Sequence, residues 1–163
     1  MNIFSTLMIV FVASLGGNNN CDETMITVEN KSENVCDSIN RCNATDDEIA
    51  GIRKALDLYC EASVQGDSKI AKTAFASTAT MSYVENEKLV SVPIQALFDY
   101  YDRTGSQPAS YEITSCNVAI DVAIVSIDSK FGETRFADMF TLVKDGDDWK
   151  IISKIYHVKK DVV

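Results

Sequence analysis

The hydrophobic positions that follow Thr45 recur every three to four residues, which places them on one face of a helix. Thr45 to Glu48 (TDDE) has the form of a capping box, in which the two end residues satisfy free backbone amides at a helix start. Gly66 is the residue at which such a helix ends. The apolar face of this predicted helix consists of Ile49, Ile52, Leu56, Tyr59, Cys60 and Ser63.

Two shorter helices and a strand are predicted between the first helix and Pro108. Ser68 to Phe75 is predicted to form the second helix, and Thr78 to Val84 (TATMSYV) has the composition of a strand. Pro93 favours the first turn of a third helix, where its missing N–H costs nothing. Residues 104–108 end that helix. Its inward positions are Ile94, Leu97, Phe98 and Tyr101.

The second half of the chain is rich in Ile, Val, Thr and aromatic residues, a composition that is typical of strands. Asp145-Gly146 is a strong turn signal between the last two strands. Consecutive strands joined by short turns form an antiparallel sheet, and the three helices must cover one of its faces. We therefore expect an α+β fold with three N-terminal helices packed on a strongly bent antiparallel sheet. The strands are predicted at Ser110 to Val118, Val122 to Phe131, Glu133 to Lys144 and Trp149 to Val158.

The residues before this domain have a different composition. Ile3 to Ala13 is an apolar run of the length of a signal-peptide core, too short for a comfortable membrane-spanning helix. We predict a signal-peptide-like segment over residues 1–16, a polar linker over 17–44 and the folded domain over 45–163. The protein is expected to be exported, either periplasmic or secreted, or tethered to a membrane.

Composition narrows the choice of partners. The 163 residues carry a formal net charge of −9, which argues against a nucleic-acid partner because such binding depends on Lys and Arg. The chain has one His, and its five Cys lack the spacing of a zinc module, so no metal is predicted. It also has no Walker loop, no G-x-G-x-x-G and no H-E-x-x-H, and therefore no cofactor is predicted.

Four short motifs, in their order and spacing, carry a resemblance to a known family. They are Tyr59 to Asp67 (YCEASVQGD), Phe75 to Thr80 (FASTAT), Phe136 to Leu142 (FADMFTL) and Trp149 to Tyr156 (WKIISKIY). Together they resemble the nuclear transport factor 2-like superfamily and, in the last two motifs, its putative lumazine-binding branch. The resemblance covers Thr45 to Val158.

This resemblance implies a cone-shaped roll whose open end leads to a largely apolar pocket. It also implies a homodimer formed through the sheet. Members of the superfamily include ketosteroid isomerase, scytalone dehydratase and SnoaL-like cyclases, together with many proteins of no known reaction. The fold alone therefore does not determine the chemistry.

Two polar residues fall on apolar faces of the predicted elements. The period of two places Asp138 on one strand face with Phe136, Phe140 and Leu142. A carboxyl group in such surroundings needs hydrogen bonds or must keep its proton, in which case it becomes a donor. Tyr59 lies on the apolar face of the first helix, and its hydroxyl also needs a partner.

By position in the motifs, Tyr59 and Asp138 resemble the oxyanion-hole tyrosine and the protonated aspartic acid of ketosteroid isomerase. The general-base position of that enzyme falls at Tyr83, and a tyrosine is a poor base near neutral pH. Tyr59 and Asp138 are therefore candidate catalytic residues. The alternative is a structural pair, in which the two groups satisfy each other or the backbone.

Further residues are predicted to line the pocket. On the last strand, the period of two places His157 on the face of Trp149 and places Lys154 on the opposite face. The expected role of Lys154 is a structural salt bridge or a lysine that buries its stem and extends its charged end to solvent. The predicted pocket residues are Tyr83, Phe98, Phe136, Phe140 and His157.

Three functional hypotheses follow. The first is a domain that binds a small apolar or aromatic molecule in its pocket and forms a homodimer. The second is an isomerase, dehydratase or cyclase that uses Tyr59 and Asp138 to stabilise an oxyanion. The third is a dimeric protein-interaction module whose pocket is filled by its own side chains.

Overall fold

A computed structural model describes residues 43–160. The predicted signal-peptide-like segment (1–16) and nearly all of the predicted linker (17–44) lie outside the described residues. Within residues 43–160, no helix is long and apolar enough to cross a membrane. The elements are α1 (Asp46–Gln65), α2 (Ser68–Lys72), β1 (Phe75–Glu85), β2 (Lys88–Pro93), α3 (Gln95–Thr104), β3 (Ala109–Ala119), β4 (Val122–Phe131), β5 (Thr134–Asp145) and β6 (Asp148–Lys159).

Helix α1 begins and ends as its sequence predicts. The amide of Glu48 donates to the Thr45 hydroxyl at 3.3 Å, and the Thr45 amide donates to the Glu48 carboxylate at 2.8 Å. At the other end Gly66 has φ +66°, in the left-handed region, and its N–H caps the helix on backbone carbonyls. A side chain there would meet backbone atoms of Gly105 and Ser106 at 2.5 Å, so both the conformation and the packing require glycine.

The six strands form one sheet in the order β2-β1-β6-β5-β4-β3. The predicted α+β class is confirmed, but the sheet is mixed, because β1 lies parallel to β6 while all other pairs are antiparallel. Strand β2 was not predicted. It is a short edge strand joined to β1 by a tight turn, in which Asn86 and Glu87 have positive φ.

Strand β6 contains a bulge that changes which side chains point inward. Leu142 pairs with Ile151, but Thr141 pairs with Ser153, so Ile152 is an extra residue on β6. Beyond the bulge the alternation is reversed, and both Ile151 and Lys154 are buried. The prediction that His157 shares a face with Trp149 is therefore wrong: the bulge turns His157 outward and Lys154 inward.

The three helices lie on one face of the sheet, and the core fills the space between them. Helix α1 packs against α2, β3 and β6, and α3 packs against α2 and β2. Strand β4 alternates strictly, with every second residue buried against this core. The largest fully buried apolar side chains are Tyr101, Phe140, Ile52, Leu56, Ile127, Leu142, Ile151 and Val125.

Candidate functional site

A cavity of about 410 Å³ opens between α3 and the inner face of the sheet. Its volume lies within the usual range for small-molecule sites. Most of its wall is aromatic, and its charged groups are Lys154 on β6 and two residues of α3, Asp99 and Arg103. The remaining lining residues are Tyr59, Met81, Tyr83, Ala96, Leu97, Tyr100, Tyr101, Phe131, Phe136 and Tyr156.

A buried ion pair lies at the inner wall of this cavity. The Lys154 Nζ donates to the Asp138 Oδ1 at 2.5 Å, and the two side chains are 4% and 0% exposed. Burial lowers the pKa of the Lys154 ammonium, and the Asp138 carboxylate opposes part of that shift. Because each charge would be costly without the other, the two residues depend on one another.

Aromatic rings surround the ammonium group of Lys154. Its Nζ lies 4.1 Å from the ring centroid of Tyr156 and 5.8 to 5.9 Å from those of Tyr59, Phe136 and Phe140. These distances are within the range of cation–π attraction, which is strongest where water is excluded. The rings thus replace part of the hydration that the buried ammonium has lost.

Ser129 lies between Asp138 on β5 and Tyr59 on helix α1. The Ser129 hydroxyl donates to the Asp138 Oδ2. Ser129 also lies close enough to Tyr59 to lower the pKa of its hydroxyl, against larger causes that raise it. Burial and the nearby Asp138 charge raise the pKa of Tyr59 well above its ordinary value of 10. Tyr59 is therefore a neutral donor at physiological pH.

The Tyr59 ring is fixed by aromatic neighbours and by α3. It makes edge-on contacts with Phe131 and Phe140, with centroids 5.0 and 5.3 Å away. The Tyr101 hydroxyl, on α3, donates to the Tyr59 backbone carbonyl at 3.0 Å. Burial raises the pKa of Tyr101 well above 10 as well. Among the described residues, no buried side-chain polar atom lacks a hydrogen-bond partner.

The structure places the predicted site residues in three different environments. Tyr59, Tyr83 and Phe136 line the cavity. Phe140 and Phe98 are buried in the core and do not line it. The remaining predicted pocket residue, His157, is exposed on the outer face of β6, beyond the bulge, and takes no part in the cavity wall.

Sequence reasoning missed several residues of the cavity. The α3 residues of the cavity, among them Arg103, lie on the polar side of a short helix. Ser129, which does not line the cavity but bonds to Asp138, has no distinctive sequence context. The sequence pattern places Lys154 on the face of β6 opposite to Trp149, and Tyr156 was not predicted to line the cavity. Counting back from the Asp145-Gly146 turn places Lys154 near Asp138, but only the bulge decides that Lys154 points inward.

The hydrogen bonds limit the chemistry open to this site. Both oxygens of Asp138 accept, from Lys154 and from Ser129, so the carboxyl group is not available as a donor to a ligand. The Tyr59 hydroxyl lies beside Ser129 and keeps its proton, because burial raises its pKa. Lys154 has further polar hydrogens at the cavity wall, which the oxyanion-hole hypothesis did not include, and the hydroxyl groups of Tyr83, Tyr100 and Tyr156 lie at the same wall.

Solved structures with this architecture include nuclear transport factor 2 (NTF2)-like proteins. One of unknown function, from Shewanella baltica OS155, has a TM-score of 0.67 and 35% identity, with 73% of this chain and 100% of that chain covered. Another, from Methylobacillus flagellatus KT, has a TM-score of 0.65 and 27% identity, with 72% and 96% covered. A ketosteroid isomerase-like protein from Erwinia carotovora atroseptica SCRI1043 is similar in fold alone, at 14% identity and a TM-score of 0.55, with 71% and 100% covered.

The fold and the cavity thus define an NTF2-like protein. Within that class, the family described as putative lumazine-binding matches residues 47–157, which is more than half of the chain. The chain belongs to this family, and the resemblance predicted from the four motifs is confirmed. Among curated proteins, none matches this sequence.

Proposed function

We propose that this domain binds a small apolar or aromatic molecule in the cavity between α3 and the sheet. The observation that carries the proposal is an open space of about 410 Å³ with a mainly aromatic wall and only a few polar groups. Such a composition is typical of ligand sites. The interaction-module hypothesis requires a pocket that is filled by the protein's own side chains. This open space is evidence against that hypothesis.

The arrangement of the wall favours a flat ligand. The rings of Tyr83 and Tyr156 stack with centroids 5.0 Å apart and an interplanar angle of 30°, and the Phe136 ring stands edge-on to Tyr156 at 5.8 Å. A planar aromatic molecule can extend this stack at little conformational cost. The name of the family also points to a small heteroaromatic ligand.

The experiment is a titration of the full chain with lumazine and with riboflavin, followed by calorimetry and by ligand fluorescence. Ala96 is an exposed residue of α3 that lines the cavity, so Ala96→Trp fills the cavity without altering the core. Gln95→Trp adds the same side chain one position away, where it does not line the cavity. We expect saturable binding that weakens at least about tenfold in Ala96→Trp and is unchanged in Gln95→Trp.

Two results would contradict the proposal. If neither compound, nor a wider panel of pteridines, steroids and phenols, binds or raises the melting temperature, the cavity is not a ligand site for this class. If binding survives Ala96→Trp, the ligand occupies another surface.

We also propose that the outer face of the sheet associates with a second copy of the chain. The support is a group of exposed apolar side chains on neighbouring strands: Ile124 (51% exposed), Met139 (49%) and Ile155 (49%). Met139 and Ile155 face one another across β5 and β6. Analytical ultracentrifugation should give a dimer for the native chain and a monomer for Met139→Lys. A native monomer would refute this assignment.

A further inference from the structure

The ammonium group of Lys154 has more donors than acceptors within the described part of the chain. A lysine has three N–H donors. One of them bonds to Asp138 Oδ1, which is the single hydrogen-bond acceptor of Lys154 among residues 43–160. The other two are surrounded by the rings of Tyr156, Tyr59, Phe136 and Phe140 at the cavity wall. An aromatic face is a weaker acceptor than an oxygen or nitrogen lone pair.

The charge of the pair restricts what can accept from these donors. Asp138, 2.5 Å from the Lys154 Nζ, already neutralises the ammonium. An anionic ligand at Lys154 would lose its strong hydration and would be repelled by the Asp138 carboxylate. A neutral carbonyl oxygen or ring nitrogen loses much less hydration, is not repelled as a charge is, and gains a hydrogen bond. A cationic ligand would be repelled by the Lys154 ammonium at this position, and the four rings nearest to it already face that ammonium.

We propose that Lys154 is the residue that determines ligand specificity, and that the cavity takes an uncharged planar aromatic molecule whose edge carries a carbonyl oxygen or ring nitrogen. This inference rests on the proposed ligand-binding function and specifies the class of ligand. The acceptor atom bonds to a free N–H of Lys154, while the ring lies against Tyr83 and Tyr156, which also line the cavity. Asp138 is a positioning residue, because it holds the ammonium and balances its charge.

The test uses three naphthalenes substituted at the same ring position with acetyl, isopropenyl or carboxylate groups. The three substituents have nearly the same shape but present a neutral acceptor, no acceptor and a negative charge, respectively. We expect the full chain to bind acetylnaphthalene at least about tenfold more tightly than isopropenylnaphthalene, because a site built around a buried donor rejects an analogue without the acceptor. Naphthoate should bind more weakly than acetylnaphthalene.

The variant Lys154→Met/Asp138→Asn removes both charges and keeps a hydrogen-bond acceptor for Ser129. In this variant the preference for acetylnaphthalene over isopropenylnaphthalene should fall below about twofold, with the ring still bound. Three results would overturn the inference. The native chain could bind acetylnaphthalene and isopropenylnaphthalene equally, or the preference for acetylnaphthalene could persist in the double variant. The third result is that the native chain binds naphthoate more tightly than acetylnaphthalene. In all three cases the proposed function would stand. If none of the naphthalenes binds, the proposed function fails for this ligand class, and the inference fails with it.

A spectroscopic measurement on the native chain tests whether Lys154 donates to the ligand, even if the double variant does not fold. A carbonyl group that accepts from an ammonium has a weaker C=O bond. The carbonyl stretch of bound, isotope-labelled acetylnaphthalene should therefore lie at lower frequency than in an apolar solvent. An unchanged frequency would overturn the role assigned to Lys154.

Discussion

Strands β5 and β6 form two different environments on the same inner face of the sheet. At one end, which we call the closed end, Leu142, Trp149 and Ile151 are buried against apolar neighbours and α1. At the other, the pocket end, the same strands carry Asp138 and Lys154, equally buried but charged. The interior of the closed end is held by apolar burial, and its charged contacts, such as Lys54 with Asp148, lie at the exposed margin. The pocket end is held by buried, partnered charges beside an open cavity.

The bulge at Ile152 is the boundary between these two environments. Without an extra residue, β6 could not place both Ile151 and Lys154 on the inner face. Bulges commonly redirect side chains next to functional sites. One hairpin can thus supply a hydrophobic wall at one end and a polar site at the other. A single inserted residue, Ile152, is enough to reverse the alternation of β6 between them.

The largest expected effect comes from removing one charge of the pocket end. Asp138→Leu leaves the Lys154 ammonium buried without a counter-charge, and we expect a loss of about 3 to 5 kcal/mol in the free energy of unfolding. Urea denaturation of the full chain measures this value. Asp138→Leu/Lys154→Met removes both charges and should recover most of the loss, because two apolar side chains need no partner.

The closed end supplies the matched comparison. Leu142→Ala should cost about 2 to 5 kcal/mol through the cavity that it creates, and no polar substitution nearby should recover it. If Asp138→Leu costs less than about 1 kcal/mol, the ion pair behaves like an exposed one and the contrast between the two ends is lost.

Alkaline pH should also distinguish the two ends, because the pocket end contains buried groups that titrate. The raised pKa values of Tyr59 and Tyr101 mean that the folded chain keeps these protons above pH 10, while the unfolded chain releases them. The free energy of unfolding should therefore fall as pH rises above 10, by about 1.4 kcal/mol per pH unit for each tyrosine. The effect of Lys154 is opposite to that of the tyrosines, because its pKa is lowered in the folded chain. The folded chain releases this proton at a lower pH than the unfolded chain does, so the free energy of unfolding rises with pH until about pH 10.5.

Urea denaturation at a series of alkaline pH values gives this slope. Tyr59→Phe removes one titrating group and should reduce the slope by about 1.4 kcal/mol per pH unit. Trp149→Phe, at the closed end, should lower stability at every pH and leave the slope unchanged. An equal slope in the native chain and in Tyr59→Phe would show that Tyr59 does not contribute to the pH dependence.

The sequence predicts regular features of the fold better than exceptions to them. The capping box at Thr45 and the glycine at Gly66 define α1 because both signals are local. Strand β4 was predicted with its observed bounds, since its alternation is strict and short turns flank it. Strand β2 and the parallel pairing of β1 with β6 depend on contacts between distant parts of the chain, which a local pattern does not contain.

The candidate site was predicted in part for the same reason. Asp138 and Tyr59 could be recognised because each is a polar group on an apolar face. Lys154 could not, because its inward direction depends on the bulge, and no residue type near Ile152 marks that position. A salt bridge was one of the two roles expected for Lys154, and the structure was required to decide between them and to identify Asp138 as the partner.

The smallest expected effect concerns the packing of the closed end. Gly51, on α1, lies so close to Trp149 that an added Cβ would be 2.7 Å from the Trp149 Cδ1. Gly51→Ala should gain about 1 kcal/mol from helix propensity and lose about 1 to 3 kcal/mol from the collision, for a net loss of about 1 kcal/mol. In a Trp149→Leu background the collision is relieved, and the same substitution should stabilise the chain by about 1 kcal/mol. Stabilisation by Gly51→Ala in both backgrounds would mean that the Trp149 side chain can move to make room for the added methyl group. The closed end would then not differ from the pocket end by tight packing.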